Sequence, residues 1–123
     1  MTGTLDATGC NIGDYYGPTD SGSVADADIF GANYYGVVVS GTSTPVNIST
    51  SSIHDIGESP LNGSQHGVGV LYTTVDQAGN TTGLAATGTL HGTTITDYQK
   101  NGVVAPKEIS MPLWAIQSQA IRQ

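Results

Sequence analysis

The segment TGTLHGTTITDYQKNGVVA, residues 87–105, holds the pattern on which the reading of the whole chain turns. It opens on TGTL, which also stands at residues 2–5, and then gives an aliphatic residue, four small or polar residues and an isoleucine, Leu90 through Ile95. The same spacing runs from Val24 to Ile29 and from Ile48 to Ile53, and a looser version runs from Leu5 to Ile12. A short polar stretch follows each Ile, and three times a Gly-Val segment comes next: GVVV from Gly36, GVGVL from Gly67 and GVVA from Gly102. The expectation is that TGTL marks one corner visited on different turns of the chain. Ile12, Ile29 and Ile53, spaced 17 and then 24 residues apart, are taken as equivalent positions.

Each unit reads as short strands joined by Gly, Asn, Asp or Ser corners. In Thr94–Ile95–Thr96 the Ile faces one way and both threonines the other, which is the period of a strand. Units this small cannot bury an apolar face alone, so they must stack. The composition agrees. Hydrophobic residues are 37% of 123, with one Phe and one Trp, too few large side chains for a helical bundle. Thr and Val fit a pleated surface instead. Ten acids against three bases, Lys100, Lys107 and Arg122, leave a net charge of −7. No phosphate-binding stripe can be assembled from three cations, so neither nucleic acid nor an anionic membrane surface is an expected partner. Cys10 is the one cysteine, so no internal disulfide forms, and it is expected to be a small buried residue.

The motifs ADIFGANYYGVVV (residues 27–39) and TTITDYQKNGVVA (residues 93–105) resemble right-handed parallel β-helix repeats of the pectate-lyase-like superfamily, the Gly/Thr/Asn-rich type of secreted bacterial proteins. The resemblance covers about residues 2–106. It implies an all-β solenoid of about four coils over residues 1–106 and a parent protein that is secreted or at the cell surface. The chain carries no signal-peptide pattern at Met1 and is expected to be an excised or engineered piece. The tail, residues 107–123, differs in composition. Leu113, Ile116 and Ala120 share one helical face, with Trp114 and Ile121 at its margin. An open solenoid end exposes strand edges, so Leu113, Trp114, Ile116 and Ile121 are read as a cap. The alternative is recruitment of a second copy, giving a homo-oligomer through the tail or the ends.

Candidate chemistry is sparse. Two places beyond each repeat Ile stand Asp14, Gly31, Asp55 and Asp97. Carboxylates stacked on successive strands can bind Ca²⁺ or divide acid and base roles. Closing a turn is the favoured role, and no cofactor is expected. The resemblance implies an acidic Ca²⁺ cluster with a base in the lyases, and three aspartates, Gly-His-Gly and Arg-x-Lys in the hydrolases. Gln65–His66–Gly67 is similar to one piece only, and Lys100 is the one cation of the repeats. His54, His66 and Glu58 are a weak metal set, because no short ligand spacing joins them. No GxSxG elbow is present. An ice-binding Thr ladder fails because only Thr94 and Thr96 qualify; their equivalents are Asn11 and Gly13, Asp28 and Phe30, and Ser52 and His54. Two tyrosine pairs, Tyr15–Tyr16 and Tyr34–Tyr35, stand before Gly corners, and in each one ring is expected to cover the coil edge and the other to face outward.

The leading expectation is therefore a rigid, non-catalytic scaffold or recognition module. The runner-up is a carbohydrate-active relative whose face across Tyr34, Asp55, His66 and Asp97 takes a polysaccharide.

Overall fold

The computed structural model describes residues 1–41, 45–58, 67–76 and 78–105, and the backbone of the strand at 116–118. Every regular element among them is a β-strand. Strands β1 (Gly3–Asp6), β4 (Ala27–Phe30), β7 (Ser52–Ile56), β10 (Thr93–Tyr98) and β12 (Ile116–Ser118) form one sheet, A, in that spatial order. Sheet B is β2 (Ile12–Tyr16), β5 (Tyr35–Ser40), β8 (Val68–Thr73) and β11 (Asn101–Val104). Sheet C is β3 (Ser23–Ala25), β6 (Asn47–Ser49) and β9 (Leu90–His91). All pairings within the sheets are parallel. From β1 to β11 the chain visits A, B and C in the same order, laying each new strand beside its counterpart of the previous circuit.

The repeat explains the register. Val24, Ile48 and Leu90 align in sheet C, and Ile29, Ile53 and Ile95 align in sheet A. All six are fully enclosed. Between the two ladders the chain turns at Asp26, Thr50 and Gly92, all with φ between 50° and 58°. Asp and Gly tolerate this left-handed conformation, whereas the β-branched Thr50 is strained in it. One such residue suffices for the corner, which is why the spacing from aliphatic residue to Ile is constant.

Three expectations about the repeat are corrected. Leu5 pairs with Ile29 in sheet A, whereas Leu90 pairs with Ile48 in sheet C. The two TGTL copies therefore lie in different sheets, because register with neighbouring strands, not local identity, decides where a segment goes. Leu5–Ile12 is likewise no copy of Val24–Ile29. Leu5 is the first member of the sheet A ladder, and Ile12 lies in sheet B opposite Tyr35. The middle Gly-Val segment is in register through Gly69–Val70, not Gly67–Val68. A strand has a period of two, so either pair faces the same way and only the neighbours choose between them.

The tail also differs from its expected form. Ile116 lies in a strand, β12, paired in parallel with β10 (Thr93 opposite Ile116), not in a helix. The outer edge of β10 offers unpaired backbone donors and acceptors, and meeting them outweighs the weak helical pattern. Leu113, Trp114 and Ile121 lie outside the described residues.

Packing depends on a column of glycines. Register places Gly13, Gly36, Gly69 and Gly102 side by side in sheet B. A Cβ on Gly36 would lie 2.7 Å from Cγ2 of Ile53 and 2.6 Å from the carbonyl oxygen of Gly69. On Gly69 it would lie 2.6 Å from Cγ2 of Ile95 and 2.7 Å from the Gly102 carbonyl. Gly13 stands in the same relation to Ile29, at 3.0 Å, and to the Gly36 carbonyl, at 2.5 Å. Each glycine thus receives the isoleucine across the core. Beside this column Val37 and Val70 are fully enclosed. Asp14 occupies their ladder on β2, and its Oδ2 is enclosed with no hydrogen-bond partner. A carboxylate in a core ladder on an edge strand disfavours a further strand at that edge.

Gly36→Ala is expected to cost about 1–3 kcal/mol or more of unfolding free energy, the range for overpacking a tight core. Thr4→Ala, on an exposed residue, should stay within about 0.5 kcal/mol. Urea unfolding of both variants checks the difference.

Candidate functional site

Two outward surfaces stand out. On sheet A, Asp6, Phe30, His54 and Thr96 align on successive strands, and Asp28 and Ser52 align beside them. His54 is the centre of this face. Its Nδ1 lies 2.6 Å from Oδ2 of Asp55, and its Nε2 lies 2.8 Å from Oδ1 of Asp28 on the neighbouring strand. The Phe30 ring stacks on it with centroids 5.2 Å apart and planes 16° from parallel. Burial opposes charge on the ring and is the largest single influence. Bonds to Asp55 and Asp28, with their charges, together outweigh it, so His54 titrates above the ordinary histidine range. The doubly bonded ring ties β4 to β7 and fixes the corner at Asp55.

That corner decides the role of the aspartate column. Gly31, Asp55 and Asp97 keep the expected alignment and all have left-handed backbone, with φ of 88°, 54° and 52°. Asp14 leaves the column, because it belongs to sheet B. The position two beyond Leu5 is Ala7, which is buried. The conformation accounts for Gly and Asp here on turn chemistry alone. Among the described residues no group of three His, Cys, Asp or Glu side chains is arranged as a metal site. His91 is exposed in sheet C, and His66 lies outside the described residues. Cys10 is exposed, not buried as expected. It sits in the corner between β1 and β2, where its carbonyl accepts the Asn33 N–H at 2.8 Å and its side chain has no place in the core.

The second surface is a groove of about 530 Å³ over sheet B. Tyr15, Val38 and Leu71 form one ladder across β2, β5 and β8, and Ile12 and Tyr35 form another. These residues, with Tyr34, Asn11, Thr73, Val75, Asp76 and Gly79, line the groove. Tyr34 and Tyr35 meet edge to face, centroids 6.4 Å apart. Tyr15 is half-buried while Tyr16 is buried, with its hydroxyl 3.4 Å from the Ser23 carbonyl, as strand alternation requires. Val75, Asp76 and Gly79 belong to the loop that follows β8. Asp76 organises that loop: its Oδ1 accepts the N–H groups of Ala78 and Asn80, each at 2.9 Å. The Ser40 hydroxyl donates to the Val75 carbonyl and ties the loop to β5.

Of the expected binding residues, Tyr34 lines this groove, while Asp55 and Asp97 occupy the left-handed column near the ends of β7 and β10 and do not line it. Asp76 escaped sequence reasoning, whereas Asp28 lies where the repeat puts it, opposite Ser52 and beside the Phe30–His54 pair. The repeat aligns Asp28 with Ser52 and Phe30 with His54, but it does not specify the diagonal bond from His54 to Asp28. Asp76 lies in a loop with no counterpart in other circuits, so no repeat signal reaches it.

Comparison of the chain with protein-family models, with curated proteins and with solved structures finds no match.

Because its folded pKa is raised, His54 contributes stability that is complete below the unfolded value of about 6.5 and is lost as pH rises through the folded value. The difference in melting temperature between the wild type and His54→Gln should therefore be larger at about pH 6 than at about pH 9. A difference that does not change with pH contradicts the clasp.

Proposed function

We propose that this chain is a non-catalytic recognition module that binds saccharide in the tyrosine-lined groove of a short right-handed parallel β-helix. About four coils are inferred from the repeated passage through sheets A, B and C. Right-handedness rests on the near-universal hand of connections between parallel strands. The sequence resemblance to the pectate-lyase-like superfamily supports the same architecture and a secreted or cell-surface parent. The tail, with β12 beside β10, serves as a cap in this reading.

The groove is the observation that carries the function. Its volume falls in the range of about 300–1,000 Å³ usual for ligand sites. Its floor is apolar at Ile12, Val38 and Leu71, and three tyrosines supply ring faces and hydroxyls. Sugars present apolar faces and equatorial hydroxyls, which match that pairing. A non-catalytic role is favoured by His54, whose two ring nitrogens are both held by carboxylates and so are not available to take a substrate proton.

Titration calorimetry with neutral oligosaccharides tests the reading. Tyr15→Ala should weaken binding roughly three- to tenfold, the effect of losing one aromatic contact. The same oligosaccharides should be recovered intact after long incubation. New reducing ends or unsaturated uronide would overturn the non-catalytic assignment, and no binding by any glycan would overturn the groove.

A further inference from the structure

The groove has a charge character that narrows its ligand. Asp76 is the one charged residue among its described lining residues; the rest are apolar, aromatic or neutral polar. The surrounding protein carries ten acids against three bases. A ligand with carboxylates or sulfates would enter against this field with no cation among the described lining residues to meet it. A ligand bearing an ammonium group would meet the Asp76 carboxylate and the faces of Tyr15, Tyr34 and Tyr35, which attract cations through their ring quadrupoles. The Asp76 charge is also held in place, because its Oδ1 is fixed by the Ala78 and Asn80 N–H groups. A fixed carboxylate beside aromatic faces needs little reorganisation to receive a cation.

Resting on the saccharide reading above, we infer that the groove selects a protonated amino sugar, such as the free-amine glucosamine unit, over its N-acetylated and its acidic counterparts. The apolar floor and the tyrosine rings favour a pyranose over a flexible basic peptide, whose ordering costs more side-chain entropy. Asp76 is the specificity-determining residue, opposite the ammonium group, and the tyrosines hold the ring.

The test compares short oligomers of equal length by calorimetry at about pH 6 and low salt: tri-glucosamine, tri-N-acetylglucosamine, tri-galacturonate and trilysine. The free-amine trimer should bind roughly fivefold tighter than the N-acetylated one, and the acidic trimer more weakly than either. The preference should shrink as salt is raised. Asp76→Asn should reduce the ratio towards one; Asn keeps a side-chain oxygen for the two loop N–H groups, so the loop can retain its shape. Tyr15→Ala should weaken binding of the free-amine trimer. An equal or tighter N-acetylated trimer overturns the inference and leaves the saccharide groove standing. Binding of no sugar overturns both. A preference that survives both Asp76→Asn and Tyr15→Ala is diffuse attraction to an acidic surface, and trilysine binding as tightly as the amine trimer makes the ligand a basic peptide; either result overturns it.

Discussion

The contact between the glycine column of sheet B and the isoleucine column of sheet A is the constraint on which the molecule depends. Gly13, Gly36 and Gly69 leave room where any side chain would strike Ile29, Ile53 and Ile95 and the carbonyl of the next circuit. The two sheets therefore approach more closely there than two layers of large side chains allow. Close packing at that density leaves no slack for a methyl group. The isoleucine and valine ladders, Val24–Ile48–Leu90 among them, fill that core together with Tyr16, Tyr72 and Tyr98. That is how a chain with one Phe and one Trp buries a continuous interior.

Stacking in register has a second consequence, on the outside. Because each strand lies beside its counterpart about 4.8 Å away, outward side chains also form ladders. On sheet A this puts Asp28 and His54 within bonding reach, with Phe30 against the imidazole. On sheet B it places Tyr15, Val38 and Leu71 in line and so makes the floor of a groove, which the loop after β8 then borders. The corner residues contribute geometry: Asp55 and Asp97 turn the chain in the left-handed region. Asp55 also bonds His54, so one side chain shapes the corner and the face beside it.

The sequence showed the strands more plainly than it showed their alignment. Val24, Ile48 and Leu90, with their isoleucine partners, were legible because a single left-handed residue separates the two ladders in each circuit, holding the spacing constant. The first circuit misled, because TGTL is a good strand segment in either sheet and its local identity carries no information about neighbours. GVGVL was ambiguous by two residues for the same reason that strands alternate. The first tyrosine pair divides as expected, with Tyr16 buried and Tyr15 in the groove, but the second does not, since Tyr34 and Tyr35 both line it. Asp28 was legible as a position, aligned with Ser52 beside the Phe30–His54 pair, but its diagonal bond to His54 was not. Asp76 was not visible, because it lies in a loop that nothing repeats. The helical pattern around Ile116 was overridden by a strand edge that only the folded neighbours provide.

The most direct test of the central contact is a methyl-resolved nuclear Overhauser spectrum of protein with labelled isoleucine methyl groups. The Cγ2 methyl of Ile53 should show a strong cross-peak to the Hα protons of Gly36, that of Ile29 to Gly13, and that of Ile95 to Gly69. Cross-peaks shifted by one circuit, such as Ile53 to Gly13 alone, or none between these columns, would contradict the register and with it the account of the core.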